Sequence, residues 1–145
     1  MEPRERNIIV FAIGVNDSQL VKSKNSFRTP LEKFKENVQR LVDMAKKFSS
    51  KIVFVGLFPV DETKTTPIPW NRDKYYKNEY IQKYNQTLKV ICKENEVYFI
   101  DLFHKFKDLN YKDLLEDGLH PNSEGHKKIF EVIKDFLIEN KIVEI

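Results

Sequence analysis

Three short stretches of the chain are apolar at nearly every position. Residues 8–13, 52–58 and 97–100 read IIVFAI, IVFVGLF and VYFI. Strands of a parallel sheet are covered on both faces, so they carry continuous apolar runs rather than the alternating pattern of a half-exposed strand. The pattern therefore predicts three buried, parallel strands.

The segments between these strands carry apolar residues at helical spacing. The first predicted helix opens at Thr29-Pro30-Leu31-Glu32, which combines an N-cap threonine, a proline at the first helical position and a capping-box glutamate. Alternating strands and helices predict one α/β domain over residues 1–145, with helices on both faces of a parallel sheet. The helical stripes comprise Leu31, Phe34, Val38, Leu41, Val42, Ala45 and Phe48, then Ile81, Tyr84, Leu88 and Ile91, then Ile129, Val132, Ile133, Phe136 and Leu137.

Polar or irregular residues follow each predicted strand. They are residues 14–17 (GVND), 58–61 (FPVD) and 101–103 (DLF). Active sites of open α/β sheets form beyond the carboxyl ends of the strands, so this edge is the expected position of a site. Three strands are few for such a sheet, and we interpret the sheet as incomplete.

Amino-acid composition and charge exclude several classes of protein. The 145 residues are 41% hydrophobic and 32% charged, and the charges that sum to +3 are interspersed. Disorder is therefore excluded, and the basic stripe typical of a nucleic-acid binder is missing. No apolar run approaches the roughly 20 residues that cross a bilayer, and the amino terminus does not resemble a secretory signal. With Cys92 as the one cysteine and no zinc-type ligand spacing, we expect a cytoplasmic protein without metal or cofactor.

Residues 117–122, DGLHPN, carry the clearest candidate chemistry. An aspartate three residues before a histidine can hold one ring nitrogen and leave the other free to accept a proton. Pro121 restricts the backbone of His120 and so helps to fix its ring. The alternative interpretation is a turn that caps the last helix with His120 merely exposed, and the spacing alone leaves both open.

Residues 14–17, GVND, follow the first strand directly. The side-chain amide of Asn16 would lie at the carboxyl edge of the sheet, where it could donate a hydrogen bond to an oxyanion. Asparagine and aspartate also start turns for local reasons, because their side chains bond nearby backbone groups. A plain turn is therefore the alternative for this segment.

Taken together, the two segments resemble the SGNH hydrolases, also called GDSL-like esterases and lipases. Gly-x-Asn-Asp matches the third conserved block of that family and Asp-x-x-His the fifth. The resemblance implies an oxyanion donor at Asn16, a general base at His120 and an orienting carboxylate at Asp117. It also implies a three-layer, flavodoxin-like fold and a small-molecule ester substrate, which we expect Gly14 and Asp17 to help bind.

The departure from the family lies in the nucleophile. The family's Gly-Asp-Ser block does not occur in the chain, which resembles roughly the last 60% of such an enzyme without its first two strands. Ser18 and Ser123 are the alternative nucleophiles that the chain offers, but nothing in the sequence directs Ser18 toward His120, and we expect Ser123 to cap the last helix. We expect the isolated chain to be an inactive acyl-ester hydrolase; the alternatives are a non-catalytic α/β binding module and a truncated product.

Two further features carry predictions. In the family's sheet the strand at residues 8–13 would border the missing first strand, so we expect self-association through its free edge, or cover from the arm at residues 1–6. The proline-rich loop at residues 59–73 holds Trp70, which either closes over a substrate or fills a gap over the sheet. Cys92 is interpreted as a small buried hydrophobe, and the remaining histidines, His104 and His126, as surface residues.

Overall fold

A computed structural model describes residues 7–144 of the chain, and within them six strands and five α-helices follow one another. Two 3-10 turns, Lys22–Lys24 and Tyr111–Leu114, complete the regular structure. In chain order the elements are β1 (Ile8–Phe11), β2 (Leu20–Val21), β3 (Ser26–Phe27), α1 (Leu31–Ala45), β4 (Lys51–Val55), α2 (Glu62–Thr65), β5 (Lys74–Tyr75), α3 (Asn78–Glu94), β6 (Tyr98–Ile100), α4 (Leu102–Phe106) and α5 (Ser123–Glu139).

The main sheet consists of the three strands that the apolar runs predict. Its order is β1-β4-β6 with every pairing parallel, and Ile9 lies opposite Ile52 while Phe54 lies opposite Phe99. The central strand β4 is buried over residues 52–55, as its continuous apolar sequence predicts. Each strand is shorter than its apolar run: β1 and β4 end before their runs do, and β6 begins one residue after its run begins.

Helices cover both faces of this sheet, which confirms the predicted α/β class. On one face α1 and α3 bury Phe34, Val38 and Leu88 against Ile52 and Phe54. On the other face α4 and α5 pack against the alternate residues of the same strands, which are Val53, Val55 and Ile100. Phe48 departs from the prediction: α1 ends at Ala45, and the Phe48 side chain is 63% exposed.

Two predicted helix caps are wrong. The Thr29 hydroxyl donates to the Asp17 carboxylate at 2.6 Å instead of capping α1, whose N-cap residue is Pro30. At α5 the N-cap is Asn122, whose side chain accepts from the backbone N–H of Gly125 at 2.9 Å, so Ser123 is the first helical residue. No side chain caps α1, whereas at α5 the Asn122 side chain takes the role predicted for Ser123.

A second, small sheet was not predicted. It is antiparallel with the order β3-β2-β5, and Leu20 lies opposite both Phe27 and Tyr75. Its strands are two residues long, too short for any periodicity of apolar positions to reveal them. This sheet brings the chain after β1 next to the chain before α3.

Strand β1 forms an edge of the main sheet. It pairs with β4 on one side, the part of the chain that the structure describes places no strand on its other side, and the Val10 side chain is 46% exposed. The arm at residues 1–6, expected as a cover for this edge, lies outside the described residues. Between residues 7 and 144 we find no helix with the length and apolar character of a membrane span.

Candidate active site

Asn16 lies just beyond β1, on a turn that depends on Gly14. Gly14 is buried with φ +123°, and a Cβ there would lie 3.1 Å from Leu57 and 3.2 Å from Phe34. Only glycine adopts this backbone conformation readily. The turn closes with a hydrogen bond from the Ser18 N–H to the Gly14 carbonyl at 3.1 Å, and the Asn16 side chain is exposed at its tip.

Two buried side chains that sequence reasoning missed fix the amide of Asn16. Its Oδ1 accepts a hydrogen bond from the Tyr76 hydroxyl at 3.0 Å, and that hydroxyl accepts one from Gln19 Nε2 at 2.8 Å. Tyr76 lies 60 positions further along the chain, directly after β5, so no local motif connects it with Asn16. The Nδ2 group of Asn16 donates to no residue between 7 and 144 and is available to a ligand.

His120 and Asp117 form the predicted pair. His120 Nδ1 lies 2.7 Å from Asp117 Oδ2, while Asp117 Oδ1 accepts from the backbone N–H groups of His120 at 2.7 Å and Leu119 at 2.9 Å. Burial by itself would raise the pKa of Asp117, but these hydrogen bonds outweigh it and hold that pKa below its ordinary value. The second ring nitrogen, Nε2, has no hydrogen-bond partner within the described chain.

The turn that carries this pair is anchored on both sides. Backbone hydrogen bonds join Glu116 to the His120 carbonyl and Asn122 to the Leu114 carbonyl, each at 2.8 Å. Gly118 has φ +87°, a Cβ there would lie 2.7 Å from the Lys64 side chain, and its carbonyl accepts from the Asp61 N–H at 2.9 Å. The turn therefore docks onto the loop that follows β4, and the histidine is held relative to the sheet.

A cavity of about 390 Å³ brings the two motifs together. Asn16 and His120 both line it, with His126 from the first turns of α5. Larger cavities of about 810 Å³ and 610 Å³ occur elsewhere, but neither is lined by either residue. The rest of the 390 Å³ cavity is largely apolar and is formed by Val10, Ala12, Ile13, Val15, Val55, Gly56, Leu57, Phe58, Leu102, Leu119, Pro121, Ile129 and Ile133.

Trp70 stands beside the histidine. Its ring stacks on the His120 ring with centroids 6.3 Å apart and planes inclined by 28°. The Trp70 side chain is 55% exposed. It therefore does not fill a gap over the sheet, which is the alternative to a role over the substrate. Trp70 lines the 610 Å³ cavity and not the 390 Å³ cavity, so its link to the candidate site is the contact with the His120 ring.

The remaining predicted substrate-binding residues lie next to Asn16 without lining its cavity. Gly14 is buried behind the turn, and half-buried Asp17 accepts the Thr29 hydroxyl, which braces the chain before α1. Ser18 is fully buried and donates to the Val15 carbonyl at 2.6 Å, facing away from solvent. Contact of Gly14 or Asp17 with a substrate stays a prediction.

The aspartates after the other two strands have local partners. Asp61 caps α2 by accepting from the Thr63 N–H at 3.1 Å. Asp101 caps α4 and also contacts His104, with Oδ2 2.7 Å from Nδ1. Sequence reasoning missed this second pair, although Asp101 and His104 have the same spacing as Asp117 and His120. His104 and His126 are exposed, as expected.

Cys92 does not line the cavity. Cys92 is buried on α3, as predicted, and burial raises the pKa of its thiol to about 12, so it remains a protonated thiol. Residues 7–144 contain no group of three or more histidine, cysteine, aspartate or glutamate side chains that could hold a metal ion.

Comparison with known proteins decides the family. Residues 1–128 match the GDSL-like Lipase/Acylhydrolase family. The chain belongs to this family. In sequence it is 28% identical to the isoamyl acetate-hydrolyzing esterase of Saccharomyces cerevisiae over 91% of the chain, and 27% identical to the GDSL esterase/lipase WDL1 of Oryza sativa subsp. japonica over 94%.

A solved relative shows the same fold for this GDSL-family chain. The lipase/acylhydrolase from Enterococcus faecalis superposes with a TM-score of 0.71 at 17% identity and covers 90% of the chain. The α/β fold of the SGNH hydrolases is therefore confirmed. The chain spans 59% and 55% of the yeast and rice proteins and 60% of the Enterococcus structure, so it corresponds to part of their domain.

Proposed function

We propose that the chain supplies the base, its carboxylate and an oxyanion donor for the hydrolysis of a carboxylic ester. The observation that carries this proposal is the shared cavity: Asn16 and His120 line it together, and His120 is held by Asp117 from behind. Membership of a family of lipases and acylhydrolases supports an ester as substrate. The apolar lining suits the hydrocarbon part of such a molecule.

The geometry supports a serine acyl-transfer mechanism. A serine Oγ would attack the ester carbonyl while His120 Nε2 takes its proton, and the Nδ2 group of Asn16 would donate to the oxyanion of the tetrahedral intermediate. The imidazolium then returns the proton to the departing alcohol. Water repeats the same steps on the acyl-enzyme, which releases the acid and restores the serine.

Asp117 has two roles in this scheme. Its contact with Nδ1 fixes the tautomer in which Nε2 carries no proton and can act as a base. The carboxylate is ionised at neutral pH, its pKa being held below the ordinary value, and it stabilises the imidazolium that forms during the reaction.

The nucleophile would come from a segment outside this sequence. None of the six serines of the chain lines the cavity, and Ser18, adjacent to Asn16-Asp17, points into the protein. The relatives are also longer than the chain, as the shares above show. We therefore expect the 145-residue chain alone to hydrolyse short p-nitrophenyl esters no faster than buffer.

Expression of two proteins tests this proposal. One is the 145-residue chain, and the other is the chain joined to, or expressed with, a family segment that carries Gly-Asp-Ser. We expect hydrolysis only in the second protein, blocked by a fluorophosphonate that labels the added serine. Ordinary turnover by the chain alone, with the fluorophosphonate on one of its own serines, would overturn the proposal.

The open edge of β1 has a consequence for the isolated chain. We propose that two copies associate through this edge, because an exposed apolar strand edge is a template for pairing and Val10 is half exposed there. Light scattering should show a dimer or larger species for the chain. Val10→Lys should shift it toward monomer, while Val90→Lys, at a comparably exposed position on α3, should not. A monodisperse monomer at high concentration would contradict association.

A further inference from the structure

A three-residue hydrogen-bond chain runs from the protein interior to the candidate oxyanion donor. Gln19 Nε2 lies 2.8 Å from the Tyr76 hydroxyl, which lies 3.0 Å from Asn16 Oδ1. Gln19 is 5% exposed and Tyr76 is 3% exposed, whereas Asn16 is at the surface of the cavity. The two buried members have no place in the catalytic scheme above.

The direction of this chain follows from its donors. The Gln19 amide N–H can only donate, so it occupies a lone pair of the Tyr76 hydroxyl and leaves the hydroxyl proton for Asn16 Oδ1. With Oδ1 engaged, the Nδ2 group is turned the other way. Burial raises the pKa of the Tyr76 hydroxyl, so the proton stays in place at neutral pH.

We propose that Tyr76, supported by Gln19, is a positioning residue that orients the Asn16 amide with Nδ2 toward the cavity. The inference rests on the function proposed above and adds residues to its site. An exposed asparagine can rotate its amide by half a turn, which would present Oδ1 to the developing oxyanion and repel it. A donor fixed before the reaction avoids this reorganisation.

The surroundings of Tyr76 suit a fixed support. Its backbone N–H donates to the Thr65 carbonyl at 2.9 Å, and the Thr65 hydroxyl donates to the Tyr76 carbonyl at 2.8 Å. Thr65 is itself fully buried. Tyr76 is therefore held through its backbone as well as through its ring, and its hydroxyl has little freedom to follow a mobile Asn16.

The first test uses the 145-residue chain and needs no catalysis. The order parameter of the Asn16 Nδ2–H group, measured by NMR relaxation, should approach the value of about 0.85 found for rigid backbone in the wild-type chain and fall below about 0.6 in Tyr76→Phe. Tyr111→Phe is the matched control, because that buried hydroxyl also accepts from an amide, Asn78 Nδ2, and donates to a carbonyl, that of Val60. The control should leave Asn16 rigid.

The second test uses the protein completed with a Gly-Asp-Ser segment. Tyr76→Phe should lower kcat about tenfold, the scale of one lost hydrogen bond, with KM unchanged. In an Asn16→Ala background the same substitution should have no further effect, because a positioning residue acts only through the group it positions. Tyr111→Phe should leave kcat unchanged in both backgrounds.

Either test can overturn the inference. An Asn16 amide as ordered in Tyr76→Phe as in the wild-type chain would do so, as would a tenfold loss that persists in Asn16→Ala. If Tyr76→Phe does not fold, Gln19→Met replaces it, with a smaller loss of Asn16 order expected. An inactive completed protein would reject the proposed function, and the NMR result would still decide the inference.

Discussion

Two Asp-x-x-His turns in this molecule share one internal geometry and differ in their surroundings. In both, the histidine Nδ1 lies 2.7 Å from the aspartate Oδ2, and the histidine N–H donates to Oδ1. One pair, Asp101 and His104, follows β6 at the start of α4. The other, Asp117 and His120, precedes α5.

The aspartate of the first pair has further partners. Asp101 accepts from Nδ2 of the fully buried Asn85 at 3.0 Å and contacts the Lys89 ammonium at 3.4 Å. Asn85 in turn accepts the Leu57 N–H at 2.9 Å, so this pair joins α3, α4 and the chain after β4. His104 lines none of the cavities described above.

The second pair, Asp117 and His120, has fewer structural partners, and its histidine is more exposed. The His120 side chain is 62% exposed against 37% for His104, and its ring faces a cavity that Asn16 also lines. The comparison teaches that the Asp-x-x-His spacing specifies only the hydrogen-bonded pair. Chemistry at the pair depends on what lies opposite the free ring nitrogen.

The largest expected effect is on kcat, which should depend on Asp117 and hardly at all on Asp101. In the protein completed with a Gly-Asp-Ser segment, Asp117→Asn should lower kcat by roughly 10³- to 10⁴-fold, because the amide can hold the wrong tautomer of His120. Asp101→Asn should change kcat less than about threefold, because His104 touches no reacting atom. Steady-state hydrolysis of p-nitrophenyl acetate measures both.

Equal losses in the two variants would break this distinction. Circular dichroism and thermal unfolding of each variant show whether a loss reflects chemistry or a smaller folded fraction. Asp108→Asn, an exposed aspartate in the loop after α4, serves as the control for a change of charge alone.

For the free energy of unfolding we expect a smaller effect and the reverse order, with Asp101 more important than Asp117. Asp101→Ala removes a helix cap and leaves the buried Asn85 amide without its partner, so the free energy of unfolding should fall by about 2–3 kcal/mol. Asp117→Ala removes hydrogen bonds from a more exposed turn and should cost about 1 kcal/mol. Urea denaturation at pH 7 measures both values, and a greater loss in Asp117→Ala would contradict this ranking.

The sequence predicts the main sheet and its helices well, because apolar runs and helical stripes report burial directly. Ile52 and Phe34 are buried where their patterns place them. The paired motif at Asp117 and His120 is also readable, since a turn of four residues brings its two side chains together locally.

Contacts between distant segments are not readable in the same way. Tyr76 reaches Asn16 only because the two-residue strands β2 and β5 pair, and no periodicity marks strands of that length. The Asp101 and His104 pair shows the converse: the spacing is right, but His104 does not line the Asn16 cavity, and only the folded structure shows this.

The most direct test of the account compares the two histidines in the completed protein. We predict that His120→Ala lowers kcat for p-nitrophenyl acetate by more than about 10⁴-fold, because the general base is lost. The matched variant His104→Ala, which removes the ring of a pair with the same hydrogen bonds, should stay within about twofold of the parent rate, since His104 does not line the cavity. Comparable losses in both variants, or a folded His120→Ala that retains the parent rate, would contradict the assignment of the active site to the cavity shared by Asn16 and His120.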